Sequence, residues 1–239
     1  MRTARIILIV VALGACAIGC RGKLEGDEAY AAIAKILTKY DKVEGHTHAY
    51  PQRERCLKSL AARPDVNRMA EIGFNAGHST VSLLSGNPGK TLTSFDLCTK
   101  AYYAETSSLM LNNYEGQLEI ICGDSTQTLP ELIEKGVPKY DFIHIDGGHS
   151  GDVPKQDILN SLQLSHPDTF ILVDDCNRVQ EAVGEGWIGR KVNQAWAEAE
   201  RSGLIEPVFL GSCNIGNCLG QPSSRDLRKP PPRSSDDPK

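Results

Sequence analysis

The chain predicts an α/β fold: a doubly wound, mostly parallel sheet with helices on both faces, preceded by an N-terminal helical extension. Three observations carry this. From Arg68 onward, short apolar runs alternate with helix-patterned stretches. Most of those runs are apolar throughout rather than alternately polar, which suits strands buried on both faces. The first run ends in a glycine-containing turn, Gly73 to Ser79, that leads directly into a helix.

The elements follow in order. An amphipathic helix after Asp27 places Tyr30, Ile33, Leu37 and Tyr40 on one face, and a second, basic helix runs near Arg53–Ala62. Met69–Gly73 reads as the first strand and HSTVSLL as its helix. Thr91–Leu97, Leu118–Cys122 and Tyr140–Asp146 are the next strands, followed respectively by helices at Ala104–Asn112, Thr126–Glu134 and Lys155–Leu164. Thr169–Asp174 is the fifth strand, a helix spans Arg190–Ser202 with Gly203 as its stop, and Ile205–Leu210 makes a sixth strand.

The ends differ from the middle. Residues 6–20 lack any charge and follow Arg2 and Arg5, while the stretch from Gln221 is proline-rich and nearly free of apolar residues after Leu227. The expected organisation is a signal sequence or membrane anchor at 1–20, N-terminal helices at 21–65, a ligand-binding α/β domain at 66–220 and a disordered tail at 221–239. An uncharged segment of 15 residues falls short of the roughly 20 that span a bilayer. It reads as a secretory signal, and Leu13-Gly14-Ala15-Cys16 resembles the lipobox of bacterial lipoproteins. Plain secretion or an uncleaved anchor are the alternatives. The protein is therefore expected to be exported or membrane-anchored through its N-terminus, and cytoplasmic if the segment is not a working signal.

At 40% hydrophobic and 23% charged residues, the composition excludes disorder throughout, collagen and a multi-span membrane protein. A formal net charge of −4, lower still without Arg2 and Arg5, argues against a nucleic-acid partner. Six cysteines follow the signal: Cys56, Cys98, Cys122, Cys176, Cys213 and Cys218. Cys213 and Cys218, in GSCNIGNC, could close a local disulfide; the other reading is six ordinary buried thiols. There is no CxxC pair.

Ligands of open α/β sheets bind beyond the carboxyl ends of the strands. There the chain carries Glu71, Asp96, Asp124, Asp146 and the pair Asp174-Asp175. Any one of these could be a turn residue or helix cap, but five strands in succession ending this way point to a site. The turn Glu71-Ile72-Gly73-Phe74-Asn75-Ala76-Gly77-His78-Ser79 lets a ligand approach the backbone at a helix N-terminus. It is not a dinucleotide fingerprint, because Asn75 and His78 stand where glycines would be needed, and no GK[ST] follows to make a P-loop.

Acid-x-Gly-x-x-x-Gly, a second acid 25 residues later and Gly123-Asp124-Ser125 after the third strand together resemble the class I, Rossmann-like S-adenosylmethionine-dependent methyltransferases, over about residues 66–210. EIGFNAGHS, YDFIHIDGGHS and ILVDD look like the small-molecule O-methyltransferase branch, which includes catechol, macrocin-type and cephalosporin-hydroxylase-like enzymes. The resemblance implies that Glu71, Gly73 and Gly77 shape the pocket for the methionine part of the cofactor, with Ser79 near its carboxylate. Asp96 would accept hydrogen bonds from the ribose hydroxyls, and Asp124, with Ser125 beside it, would receive the adenine amino group. Tyr102 or Tyr103 would pack on the adenine or belong to the core.

In the catechol-type branch a divalent ion is held at positions that carry Asp146, Asp174 and Asp175 here. Those enzymes have an amide at the last position, so Asp175 departs toward the all-carboxylate macrocin-like set. Three hard oxygen ligands suit Mg²⁺ or Ca²⁺ better than zinc, Mg²⁺ foremost. Methyl transfer needs an electron-rich acceptor oxygen, which a cation supports by acidifying the hydroxyl. His149 lies where catechol-type enzymes place a lysine and could take the proton, or simply make a backbone contact. His144, Trp187 and Trp196 read as buried packing; His46 and His48 either act as a lid or do nothing. The expected function is S-adenosylmethionine-dependent, metal-assisted O-methylation of a small hydroxylated molecule, its specificity set by the N-terminal helices and loops around Gly184–Gly189. The alternatives are a metal-independent methyltransferase of the same fold and an exported, non-catalytic binding protein that retains it.

Overall fold

The computed structural model describes residues 23–44, 50–177, 189–214 and 216–223. The expected N-terminal signal, His46, His48, Trp187, most of the Gly184–Gly189 loop and the chain beyond residue 223 lie outside the described residues. Among the described residues, no helix is long and apolar enough to cross a membrane.

Strands β1 (Arg68–Ile72), β2 (Thr91–Asp96), β3 (Leu118–Cys122), β4 (Tyr140–Ile145), β5 (Ser165–Asp174), β6 (Ile205–Pro207) and β7 (Asn217–Pro222) form one sheet in the order β3-β2-β1-β4-β5-β7-β6. The β1–β5 pairings are parallel, and β7 runs against both β5 and β6. Helices α1 (Asp27–Leu37), α2 (Pro51–Ala61), α3 (His78–Leu84), α4 (Tyr103–Asn113), α5 (Ser125–Glu134), α6 (Val153–Gln163) and α7 (Arg190–Arg201) complete the fold.

Alternation along the strands divides the core into two. Met69, Phe142 and Leu172 point to one face, where α1, α2, α3 and α4 pack with Tyr30, Ile33, Leu57, Val81 and Met110. Ala70, Ile143 and Ile171 point to the other, against Leu129 of α5, Ile158 of α6 and Trp196 of α7. Both faces are covered, so the central strands carry apolar residues without interruption. The switch point of the sheet lies between β1 and β4, whose C-terminal ends open onto one cavity.

Three expectations change. Tyr40 lies beyond α1; its ring meets Tyr102 edge-on at 5.8 Å and its hydroxyl donates to Glu105 at 2.7 Å. The sixth strand stops at Pro207, and the chain returns through a 3₁₀ turn, Gly211–Asn214, into the unforeseen β7, which takes in Gln221 and Pro222 from the expected tail. The cysteines are neither free thiols nor a local Cys213–Cys218 pair. Cys56 joins Cys213, Cys98 joins Cys122, and Cys176 joins Cys218. The physical reason is the sheet itself: Cys213 packs into the core on the α2 side, while Cys218 packs into the core on the opposite face.

Candidate active site

A cavity of about 790 Å³ opens at the C-terminal ends of β1, β4 and β5. Phe74, Asn75, His78 and Ser79 from the turn after β1 form one wall. Asp146 to Ser150 after β4 and Asp174-Asp175 after β5 form another, and Glu44, Tyr50 and Arg53 close it from the N-terminal extension.

The β1 turn depends on its glycines. Gly73 has φ +104°, and a Cβ there would lie 2.1 Å from the Asp146 carbonyl oxygen, so β1 and β4 approach too closely for any side chain. Gly77, at φ +88°, caps α3 in a left-handed conformation that alanine adopts only with strain. Asp96 holds the turn from behind: Phe74 N–H and Asn75 N–H donate to its Oδ2 at 3.0 and 2.9 Å, and Cys98 N–H donates to Oδ1 at 2.7 Å. It is half-buried, with one lone pair to spare for a further donor.

Glu71 lies beneath the turn, fully buried. Its carboxylate accepts from the hydroxyls of Ser79 (2.7 Å), Ser94 (2.8 Å) and Thr80. Burial pushes its carboxyl up to about 7; the Thr80, Ser79 and Ser94 hydroxyls oppose the rise and the Asp96 charge adds to it. A carboxyl raised in this way stabilises the fold while protonated. Its contribution is whole below the ordinary carboxylate range and is lost as pH climbs toward 7, by up to about 3 kcal/mol. Glu71→Gln, which cannot ionise, is expected to flatten this slope. Urea unfolding at pH 5 and pH 8 should show the variant losing less stability across the interval than the unmodified protein; parallel losses would mean that Glu71 is not the titrating group.

Of the residues assigned from sequence, the structure brings Ser79, Asp146, His149, Asp174 and Asp175 to the cavity wall. Asp124 is exposed and caps α5, accepting from Thr126 N–H (2.9 Å) and Thr126 Oγ1 (2.8 Å); Ser125 is the first residue of that helix. Neither lines this cavity. Tyr102 is buried and donates to Asn75 Oδ1 at 2.5 Å, whereas Tyr103 meets Phe74 edge-on at 6.1 Å. His144 and Trp196 are buried as expected.

Sequence reasoning missed Arg53. Its guanidinium, carried into the site by α2, bonds Asp174 Oδ1 at 2.8 Å and Asp175 Oδ1 at 3.0 Å and lies over the Tyr50 ring, 5.0 Å from its centroid. Burial works against its charge, but Asp174 and Asp175 outweigh that and hold it protonated. Asp175 adopts a left-handed φ of +51° and its N–H donates back to Asp174 Oδ1. Asn217, oriented with its amide nitrogen toward Asp174, donates to the same carboxylate. Burial first, and then the charge of Asp175 on Asp146 and of Asp146 on Asp174, raise the Asp146 and Asp174 carboxyls well above the ordinary range, with Arg53 opposing. Burial, followed by the Arg53 charge, pushes His144 down to about 4, so it is neutral. Two sets of potential ligand atoms lie within 4.8 Å of one another: His144, Asp146 and Asp174, and Asp146, His149 and Asp175. The His149 Nε2 to Asp175 Oδ2 distance is 3.7 Å.

The strand order with its reversed β7, the glycine turn at the switch point and the acids at the strand ends are those of the class I, Rossmann-like methyltransferase fold. Residues 70–176 match the family described as a methyltransferase domain. Similar proteins include the O-methyltransferase imqG of Aspergillus flavus, 22% identical over 149 residues (61% of this chain, 60% of that protein). A catechol O-methyltransferase of Niastella koreensis is 26% identical over 141 residues, 56% of this chain and 61% of that one. The chain thus spans about three-fifths of both curated relatives. The solved O-methyltransferase TomG of Streptomyces achromogenes, in complex with S-adenosylmethionine, superposes with a TM-score of 0.62 at 21% identity, covering 83% of this chain and 91% of that one.

Proposed function

We propose that the protein is a metal-assisted, S-adenosylmethionine-dependent O-methyltransferase acting on a small hydroxylated acceptor. The observation that carries the metal is charge. Among the described residues, Asp146, Asp174 and Asp175 share one bonded cation, Arg53, which leaves an excess of acidic groups at the cavity wall. The grouped oxygen and imidazole donors fit a divalent ion, Mg²⁺ foremost.

The cofactor would present an activated methyl group, and a bound cation would make an acceptor hydroxyl more acidic. The remaining work falls to the chain. The turn from Gly73 to Gly77 admits the methionine part, with Ser79 at its edge, and Asp96 offers acceptor oxygens to the ribose. Asp146, Asp174 and Asp175 orient the acceptor oxygen, and His149 stands beside them to take its proton. Tyr50 and Phe74 narrow the cavity and exclude water around the transferring group.

A second reading, methyl transfer without metal, has its own observation: the guanidinium of Arg53 already bridges Asp174 and Asp175. We also read the protein as exported, and attached to the membrane if Cys16 is lipidated or the segment uncleaved. The uncharged segment behind Arg2 and Arg5, together with the pairing of all six later cysteines, supports an oxidising destination.

Calorimetric titration of the purified protein with S-adenosylmethionine should give a dissociation constant on the order of micromolar. Absence of binding would leave only the non-catalytic reading. Binding, with turnover indifferent to chelator, would remove the metal and leave the transferase.

A further inference from the structure

The three disulfides are not equivalent. Cys56–Cys213 and Cys176–Cys218 are buried, with every sulfur-bearing residue at most 2% exposed. Cys98 is half-buried and Cys122 is exposed. This third bridge lies between two strand ends. Asp96, the last residue of β2, pairs in register with Cys122, the last of β3, and Gly123 N–H donates to Asp96 O at 2.8 Å. Two residues past Asp96 the chain turns back through Cys98, at a left-handed φ of +58°, and is fastened to Cys122. Two residues past Cys122 comes Asp124.

Two further contacts connect this bridge to the cavity. Cys98 N–H donates to the same Asp96 carboxylate that receives the N–H groups of Phe74 and Asn75. On the other side, Tyr103 Oη donates to Cys122 Sγ at 3.1 Å while the Tyr103 ring packs edge-on against Phe74.

We infer that the Cys98–Cys122 disulfide is a positioning element of the cofactor pocket, set so that a low-molecular-weight thiol can open it and weaken binding at the adenosine end. The inference rests on the cofactor reading above. A thiolate attacks the exposed Cys122 sulfur, forming a mixed disulfide and releasing Cys98 as a thiolate that takes up a proton. A second thiol resolves the mixed disulfide, leaving Cys98 and Cys122 as free thiols and the two reductant molecules joined as one disulfide. Cys98 then has no covalent hold on its left-handed turn, and the hydrogen bond that keeps the Asp96 carboxylate aimed at the turn after β1 loosens. The two buried bridges are shielded from the same reagent.

The test is titration with S-adenosylmethionine, and separately with adenosine, before and after brief exposure to reduced glutathione. Free cysteines are alkylated and located by peptide mass spectrometry, and Cys98→Ser/Cys122→Ser is titrated alongside. Cys98 and Cys122 should be alkylated before the other four. Affinity for both ligands should fall by about tenfold as pre-organisation is lost, in the reduced protein and in the variant alike. Cys56→Ser/Cys213→Ser, which removes the bridge between α2 and the 3₁₀ turn instead of the one joining the ends of β2 and β3, should melt at a lower temperature with affinity for adenosine unchanged. If the serine variants fail to fold, the reduced unmodified protein carries the comparison. Equal affinity before and after opening of Cys98–Cys122, or prior reduction of a buried bridge, overturns the inference. Failure of the oxidised protein to bind S-adenosylmethionine refutes the cofactor reading itself, and this inference with it.

Discussion

Asp96→Ala is expected to weaken S-adenosylmethionine binding by about two orders of magnitude, because charge-assisted hydrogen bonds are worth roughly 1.5–3 kcal/mol each. The residue acts twice. In the protein without ligand it gathers the N–H groups of Phe74, Asn75 and Cys98 around one carboxylate, which fixes the turn that a ligand must approach. In the proposed complex its remaining lone pair receives a ribose hydroxyl. Alanine removes the acceptor and leaves three backbone donors to find water. Asp96→Asn keeps one oxygen and should fall between the two. Calorimetry gives the answer directly: a change in the alanine variant of less than about threefold would show that Asp96 serves the turn and not the ligand.

The second large effect belongs to Arg53. Its side chain is 21% exposed and is shared by two carboxylates, of which Asp174 is almost entirely buried. Removing one partner from such a group leaves like charges facing each other without a counter-ion, a loss on the order of 3–5 kcal/mol. Arg53→Ala is therefore expected to be destabilised by about 3 kcal/mol in chelator, measured by urea unfolding. Added Mg²⁺ should recover a large part of that, because deleting the guanidinium leaves all three acids open to a metal. Stability equal to the unmodified protein in chelator would mean that Arg53 is not their counter-ion. A destabilised variant unmoved by millimolar Mg²⁺ would favour the metal-free reading.

Where the sequence was legible, a simple physical signal lay behind it. The strands from Arg68 to Asp174 are short apolar runs stopped by acid or glycine, and that pattern survives without knowledge of neighbours. The helices of the extension announce themselves by an apolar stripe. The strand β7 carries no such signal: Asn-Cys-Leu-Gly-Gln-Pro has polar residues, glycine and proline, and becomes a strand only because β5 and β6 supply partners on both sides. Pairing of the cysteines was hidden for the same reason, since which sulfurs meet is decided by the face of the sheet each element covers. In the site, Asp146, Asp174 and Asp175 were legible as strand ends. Arg53 was not, because an arginine on a basic, solvent-facing helix looks like every other one until packing turns it inward. Asp124, assigned from resemblance to the adenine, is engaged as a helix cap, a use that the same residue type and position allow equally well.

The cysteines occur along the chain in an order that does not match their pairing. A chain delivered amino end first offers Cys56 the next cysteine along, Cys98, long before the true partner, Cys213, which is 157 residues away. Only Cys98 and Cys122 are both consecutive and native partners, and the two remaining bonds interleave. Six cysteines admit 15 pairings, and the first opportunistic one, Cys56–Cys98, takes one sulfur from each of two native bonds. Oxidation without a disulfide isomerase should therefore accumulate chains trapped with Cys56 joined to Cys98, and a catalyst that shuffles disulfides should release them.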